Sequence, residues 1–421
     1  MVTHIEGRVG AMDVVYERCC GLDIHKQTVV ACVIVPGTGK QVRKEIRTFN
    51  TMTADLLQLA DWLTGEGVTH VALESTGVYW KPAWNLLEAS FTLLLVNARH
   101  IKQVPGRKTD VKDCEWIADL LRHGLLRASF VPDRPQRELR ELTRYRTTLT
   151  RERASERSRI QKTLEGAGIK LGDVASDVLG LSGRHMLDAL VSGTTDATVL
   201  ADLAKGQLRT KLPQLERALT GQVGPHQRFL LAHQLAHLDD LEELIDQLSQ
   251  EIAERLRPFE DKIVRLDAMT GVGRRTAEVF LAEIGTDVLR FPSAAHLASW
   301  TGICPGNNES AGKRKSGKTG KGDVWLRAAL TEAAHAASHT KNTYLASQYQ
   351  HLAARRGKNK AIVAVAHSIV RIVWHLLDHD CEYVDLGSRY LEERDRQQIE
   401  RRLVRRLENF GYTVKLEPTA A

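Results

Sequence analysis

The sequence predicts an α/β unit followed by a long helical region, an α/β plus α chain. Three observations carry this. Up to about residue 131, short β-type runs alternate with amphipathic segments; beyond it the pattern becomes almost purely helical; and Leu238, Leu241, Ile245, Leu248 and Ile252 recur at 3-4-3-4 spacing, the seam of a short coiled coil. Strands are expected at 15–23, 29–35 and 43–49, with Pro36-Gly37-Thr38-Gly39 turning between the second and third. A helix over 54–63, a strand over 68–73, a helix over 84–89, a strand over 91–96 and a helix over 110–122 follow. Three strands joined by short turns and then βαβα alternation indicate a mixed sheet with helices on its faces. The stretches 134–162 and 226–256 then read as an antiparallel helical hairpin around a smaller helical insert. Four regions result: 1–132, 133–260, 261–380 and a basic helix with a tail at 381–421.

Composition narrows the function classes. The 421 residues are 43% hydrophobic and 26% charged, enough apolar content for true cores, so whole-chain disorder is excluded. The first ten residues contain no apolar run, so no secretory signal is expected. The apolar stretch 361–377 is interrupted by His367, Arg371 and His375, which suits a buried helix better than a membrane span. Six cysteines include no CxxC pair, which argues against a zinc ribbon or a disulfide framework and for a reduced, cytoplasmic protein without a membrane partner. His233 and His237, without acids or cysteines arranged around them, read as ordinary helix residues. The net charge of +7 hides three concentrations, at 99–112, 134–162 and 312–322. The second holds ten Lys or Arg against four Glu, so it reads either as a solvated bundle helix or as a face for a polyanion.

Four acids stand at element boundaries in the first region. Asp23 ends the first strand, in Gly21-Leu22-Asp23-Ile24-His25-Lys26. Glu74 follows Val71-Ala72-Leu73, and Asp110 and Asp113 open a helix, where i to i+3 spacing puts them on one face. Such a set, in this order, suits a nuclease of the RNase H-like class. Hard divalent cations take carboxylate oxygens, and two of them about 4 Å apart can assist both the attacking and the leaving oxygen of a phosphodiester. Clustered carboxylates repel one another, so the arrangement points to Mg2+ (or Mn2+) rather than to salt bridges. Arg99, Lys102, Arg107, Lys108 and Lys112 precede or flank the last two aspartates, well placed for phosphates. Tyr79, Trp80 and Trp84 either stack on a base or belong to a sheet–helix core.

The third region carries two further motifs. Gly271-Val272-Gly273-Arg274 sits between apolar segments and reads as helix, tight glycine turn, helix, with backbone N–H groups facing a phosphate; a plain αα-hairpin is the alternative. Gly312 to Thr319 matches the phosphate-loop pattern, but no buried strand precedes it, and Gly320 and Gly322 delay the helix, so a nucleotide site is not expected. The stretch reads instead as a flexible polycation, with Lys313, Arg314, Lys315, Lys318 and Lys321 and no acid. Ser310 and Ser316 are then hydroxyls beside a phosphate.

In this order, Gly-Leu-Asp-Ile-His-Lys, Leu-Glu-Ser-Thr-Gly-Val-Tyr-Trp, Lys-Thr-Asp-Val-Lys-Asp, the Gly-Val-Gly hairpin and the Ser-Ala-Gly-Lys loop leading to Trp325-Leu326-Arg327 resemble the DEDD-type insertion-sequence transposases (the "IS one-ten" family) across 19–377. The resemblance implies a RuvC-like N-terminal domain, a coiled-coil connection and a C-terminal transposase domain with a helix-hairpin-helix. It implies metal binding by Asp23, Glu74, Asp110 and Asp113, and a nucleophilic serine at Ser310. Where the family often has a second glycine this loop has Ala311, so Ser316 stays an alternative. The implied activity is excision and insertion of a mobile element by a recombinase guided by a structured bridge RNA. The partners would be donor and target DNA, that RNA, and further copies of the chain as a homodimer or homotetramer. A metal-dependent Holliday-junction resolvase without a covalent intermediate, and a non-catalytic RNA- or DNA-binding scaffold, are the competing readings.

Overall fold

A computed structural model describes residues 13–39, 41–75, 77–97, 101, 113–306, 308–310, 313–394 and 396–416. They fall into two compact units, Met1–Pro132 and Asp133–Ala421.

In the first unit, β-rich runs bounded by turns form β1 (Cys19–Ile24), β2 (Thr28–Pro36) and β3 (Val42–Asn50). Then come α1 (Thr53–Gly65), β4 (His70–Glu74), α2 (Trp80–Leu87), β5 (Thr92–Val96) and α3 (Asp113–Arg122). The sheet order is β3-β2-β1-β4-β5. β1, β2 and β3 pair antiparallel, and β4 returns parallel to β1 with β5 parallel beyond it. Side chains alternate across a strand. Cys20, Leu22 and Ile24 therefore enter a core with Leu59, Leu63, Ala83 and Leu87 of α1 and α2. Cys19, Cys32, Ile34 and Ala72 enter a second core with Ile117, Ala118 and Leu121 of α3. Both faces are covered, which is why β1 and β2 read as continuous apolar runs.

Two boundaries differ from expectation. The first strand starts at Cys19 rather than 15, because the backbone N–H groups of Val15 and Tyr16 donate to the Arg122 carbonyl at 2.9 and 3.1 Å. Those residues satisfy the C-terminal end of α3 instead of joining the sheet. Helix α2 starts four residues early, at Trp80, because Pro82 is tolerated within a first helical turn.

In the second unit, α4 (Arg134–Gly166) begins at an Asp133 cap that accepts from the Gln136 N–H at 3.3 Å. A helical insert follows, with α5 (Leu171–Val174), α6 (Leu181–Val191), α7 (Ala197–Asp202) and α8 (Leu212–Leu219) around their own core. Helix α9 (Pro225–Leu256) runs back along α4. Arg255 meets Glu138, Ser249 meets Arg146 and Gln234 meets Thr163, so the pair is antiparallel. Leu149, Leu241 and Ile245 fill the middle of the seam.

A bundle follows: α10 (Glu260–Asp267), α11 (Arg274–Ile284), α12 (Ala294–Trp300), the hairpin β6 (Asn308–Ser310) and β7 (Lys313–Ser316), α13 (Val324–His339), α14 (Tyr344–Arg356) and α15 (Lys358–Asp378). Helix α15 is long and apolar enough to cross a membrane. Its Ile362, Val365, Ile369, Val373 and Leu376 recur every three or four residues and are buried in the bundle core, which is the arrangement of a central core helix. The chain ends in α16 (Tyr390–Arg394) and α17 (Arg396–Glu408).

Candidate active site

The parity of β1 and β4 places the acids. Gly21 and Asp23 share a face with Cys19, and Glu74 shares one with Ala72, so all lie on the α3 side of the sheet. The parallel register pairs Gly21 with Ala72 and Leu22 with Leu73, which carries Asp23 alongside Glu74 at the C-terminal ends of neighbouring strands. Asp113 opens α3 over the same face. Helix α3 lies unusually close because Gly21 has no side chain: a Cβ there would stand 2.3 Å from the Cys114 carbonyl oxygen and 2.4 Å from the Ala118 nitrogen. Lys44 holds the same helix from the neighbouring strands, with Nζ 3.0 Å from Glu115 and 3.1 Å from Asp119. Gly21 and Lys44 are positioning residues that the acid pattern does not reveal; the only local signal is a glycine inside a strand, a mark of close backbone approach.

The Asp23 side chain is only 17% exposed. Burial pushes its carboxyl above the ordinary value; His25, with Nε2 3.3 Å from Oδ2, pulls it partly back, and the Asp113 charge raises it again. Like charge held next to like charge in a partly dry place suits a hard divalent cation, and the donors are the oxygens such an ion prefers. Among the described residues, no three or more His, Cys, Asp or Glu side chains come together in a group that could hold a metal ion. The fourth acid of the set, Asp110, lies outside the described residues, as do Arg99, Lys102, Arg107, Lys108 and Lys112. Trp84 is buried in the α1–α2 core and meets Trp80 edge-on, whereas Tyr79 is exposed in the connection after Glu74. Tyr79 is thus the most exposed of the three, Trp80 being half-buried beside Trp84.

In the second unit, Ser310 lies on β6, paired with Lys313 of β7, and Arg314 pairs with Glu309. Lys315 is on the same strand β7. The flexible-loop expectation is corrected here: the segment is a hairpin with a fastened base. The Gly306 N–H donates to the Lys318 carbonyl at 3.1 Å. Gly302 and Gly322 cross so closely that a Cβ on Gly322 would stand 2.2 Å from the Thr301 carbonyl oxygen. Arg327 holds the returning limb, donating to the Gly320 carbonyl and the Thr319 hydroxyl at 3.0 Å each. The glycines that suggest mobility thus serve backbone crossing. Within the phosphate-loop-like run, residues 313–316 form a strand and the next helix waits until Val324. Ser316 Oγ accepts from the Lys318 N–H at 3.1 Å. Lys318 and Lys321 are exposed, with no ion-pair partner among the described residues.

Gly271 and Gly273 form the turn between α10 and α11. Gly271 has φ of 83°, and a Cβ on it would stand 2.4 Å from the Ala333 carbonyl oxygen, so this glycine seats the turn on α13. Arg274 is held by Glu260 through two contacts of 2.5 and 2.8 Å and by Glu278 at 3.2 Å. Its guanidinium is thereby engaged inside the unit. The basic charge of α4 is drawn inward as well. Arg144 grips Glu283 through two contacts of 2.7 Å, Arg140 adds a third at 3.2 Å, and Arg146 meets Glu278 at 2.7 Å. Glu283 is fully buried. His233 stacks edge-on against Phe229, and His237 lies 3.4 Å from Glu156, both as ordinary helix residues.

Comparison with known proteins finds two transposase-family matches in this chain. A family model of DEDD-type IS110 transposases matches residues 20–169, and one described as the transposase IS116/IS110/IS902 family matches residues 264–350. The transposase for insertion sequence element IS1111A of Coxiella burnetii is 26% identical over 294 residues, spanning 69% of this chain and 72% of that protein.

Proposed function

The chain belongs to the IS110 family of insertion-sequence transposases, enzymes that cut and rejoin DNA, and we propose that it moves its element as an RNA-guided serine recombinase. The observation that carries the reading is the approach of Asp23, Asp113 and Glu74 on one face of the mixed sheet, with the Asp23 carboxyl raised by burial and by the Asp113 charge. The strand order β3-β2-β1-β4-β5 supports a RuvC-like assignment of that unit. Asp23, Glu74, Asp110 and Asp113 would hold Mg2+ (or Mn2+), which supplies Lewis-acid polarisation of a scissile phosphodiester.

The chain's own residues supply the rest. Glu74 and Asp113, beside the drier Asp23, would help hold the cation, and their charges repel other anions from the sheet end. Ser310, presented on a two-stranded hairpin whose base is closed at Gly306 and Lys318, is the nucleophile. Its Oγ forms a bond to phosphorus, the P–O bond to the neighbouring nucleotide breaks, and the leaving oxygen takes a proton to become a free hydroxyl end. That hydroxyl of an exchanged strand then attacks the serine phosphodiester and releases the enzyme, so the bond energy is conserved. Lys318 and Lys321, with Lys313, Arg314 and Lys315 on the same loop, neutralise the backbone without reading bases. Sequence choice then falls to a structured RNA paired with donor and target DNA. A homodimer or homotetramer brings the strands together.

The test is recombination between donor and target plasmids with RNA recovered from the purified protein. Asp23→Ala and Ser310→Ala are both expected to abolish exchange, and denatured reactions of the wild type to retain protein joined to DNA. Cleavage that survives Ser310→Ala but not Asp23→Ala selects a junction resolvase, and activity restored to Ser316 alone moves the nucleophile there. Absence of any enriched RNA removes the guidance step.

A further inference from the structure

The C-terminal helix α17 presents a charge pattern unlike that of the other arginine-rich segments. In α4, Arg140, Arg144, Arg146, Arg157 and Arg159 each meet an acid, and Arg151 lies over the Trp325 ring at 5.5 Å. On α17, Arg396 likewise pairs with Glu400 at 2.7 Å. Arg401, Arg402, Arg405 and Arg406 are exposed and have no ion-pair partner among the described residues. At 3.6 residues per turn these four fall within an arc of ~140°, so they form one continuous cationic stripe. Leu403 and Leu407, 52% and 44% exposed, stand on the other side of the helix. The stripe is therefore a solvent-facing surface of its own and not a by-product of packing.

We propose that this stripe is a nucleic-acid clamp, in which Arg401, Arg402, Arg405 and Arg406 take the phosphate backbone of duplex DNA without reading sequence. The inference rests on the transposase reading, which supplies the polyanion. Charge complementarity selects the occupant: four guanidiniums without an ion-pair partner among the described residues face outward along one helical arc, on a chain of a family that cuts and rejoins DNA. Arginine also suits phosphate better than lysine does, since its planar fork donates two parallel hydrogen bonds to one phosphate. Neither family match reaches this segment, the second ending at residue 350. The clamp would add affinity to a reaction centre that lies elsewhere in the chain.

The experiment measures binding of the full-length protein to a 30-base-pair DNA duplex and, separately, to a structured RNA, across a series of KCl concentrations. Each contacted phosphate contributes ~0.9 to the slope of log K against log salt for duplex DNA. The variant R401Q/R402Q/R405Q/R406Q is expected to flatten that slope by about 3 to 4 on the DNA duplex, with circular dichroism unchanged. The matching Arg→Lys variant should keep the slope near that of the wild type, which separates lost charge from lost helix. A slope that flattens on the RNA while the duplex slope stays unchanged overturns the inference in favour of an RNA site. Slopes unchanged on both ligands overturn the inference while leaving the transposase reading intact. Co-sedimentation of the wild type with phosphatidylserine vesicles, lost in the Gln variant while both slopes stay the same, overturns it in favour of a lipid surface. Failure of the wild type to bind either nucleic acid overturns both.

Discussion

Replacing Gly21 by alanine tests how the acid set is held. The added Cβ would meet three backbone atoms of α3, at 2.3, 2.4 and 3.0 Å, against an ordinary contact of at least 3.4 Å. Backbone cannot swing aside as a long side chain does, so α3 must move outward by about 1 Å relative to β1. Overpacking of this kind costs about 1–3 kcal/mol, and at roughly 4 °C per kcal/mol for a unit of this size the melting temperature should fall by about 4–12 °C. The same movement carries Asp113 away from Asp23, and a displacement near 1 Å at reacting groups costs on the order of 10²-fold in rate. Scanning calorimetry and a plasmid recombination assay read the two effects. Gly65→Ala is the control, because a Cβ there meets nothing within 4 Å and an alanine at a helix end should stabilise by about 0.5 kcal/mol. A Gly21→Ala protein that melts within about 2 °C of wild type and recombines at full rate would falsify the close-approach argument.

Asp23→Asn should abolish recombination yet stabilise the fold near neutral pH. The Asp23 carboxyl is raised above its ordinary 3.8 in the folded protein, so the folded state holds that proton more tightly than the unfolded chain. Its contribution to stability is fully present below the unfolded value and is lost as pH rises through the folded one. Thermal melts in EDTA should therefore show wild type and variant alike in acid and the variant more stable at neutral pH; a variant less stable there would contradict the burial of a repelled charge. Glu283→Ala should destabilise the second unit by about 3–5 kcal/mol, since it removes the buried carboxylate shared by Arg140 and Arg144 and leaves Arg144 only the longer contact to Asp323 at 3.4 Å. Urea unfolding followed by tryptophan fluorescence measures this, and a loss under about 1 kcal/mol would show that the network contributes little.

The strands and long helices were readable because their signals are local. Runs of β-branched residues between turns marked β1 to β5, and the 3-4 spacing from Leu238 to Ile252 marked α9. Asp23, Glu74 and Asp113 were readable as element-boundary residues for the same reason, each in a short motif at a strand end or helix start. Their meeting was not, since it depends on β4 pairing beside β1 and on α3 settling over Gly21. The serine loop was misread because glycine gives the same local signal for mobility and for close crossing. Only the partner segment distinguishes the two, and Gly302 meets Gly322 from twenty positions away.

Charge divides in the same way. By itself the sequence determined how many cations the chain carries and on which elements they ride, because composition and periodicity are properties of contiguous residues. The tertiary structure decided which of them face outward. Arg140 and Arg144 on α4 and Arg274 on α11 looked equally available, yet Glu283, Glu278 and Glu260 take them up, and Glu283 lies 139 positions from Arg144. Arg401, Arg402, Arg405 and Arg406 meet no such acid among the described residues. A carboxylate neutralises a guanidinium by contact in space, and contact at that sequence separation exists only once the chain has folded.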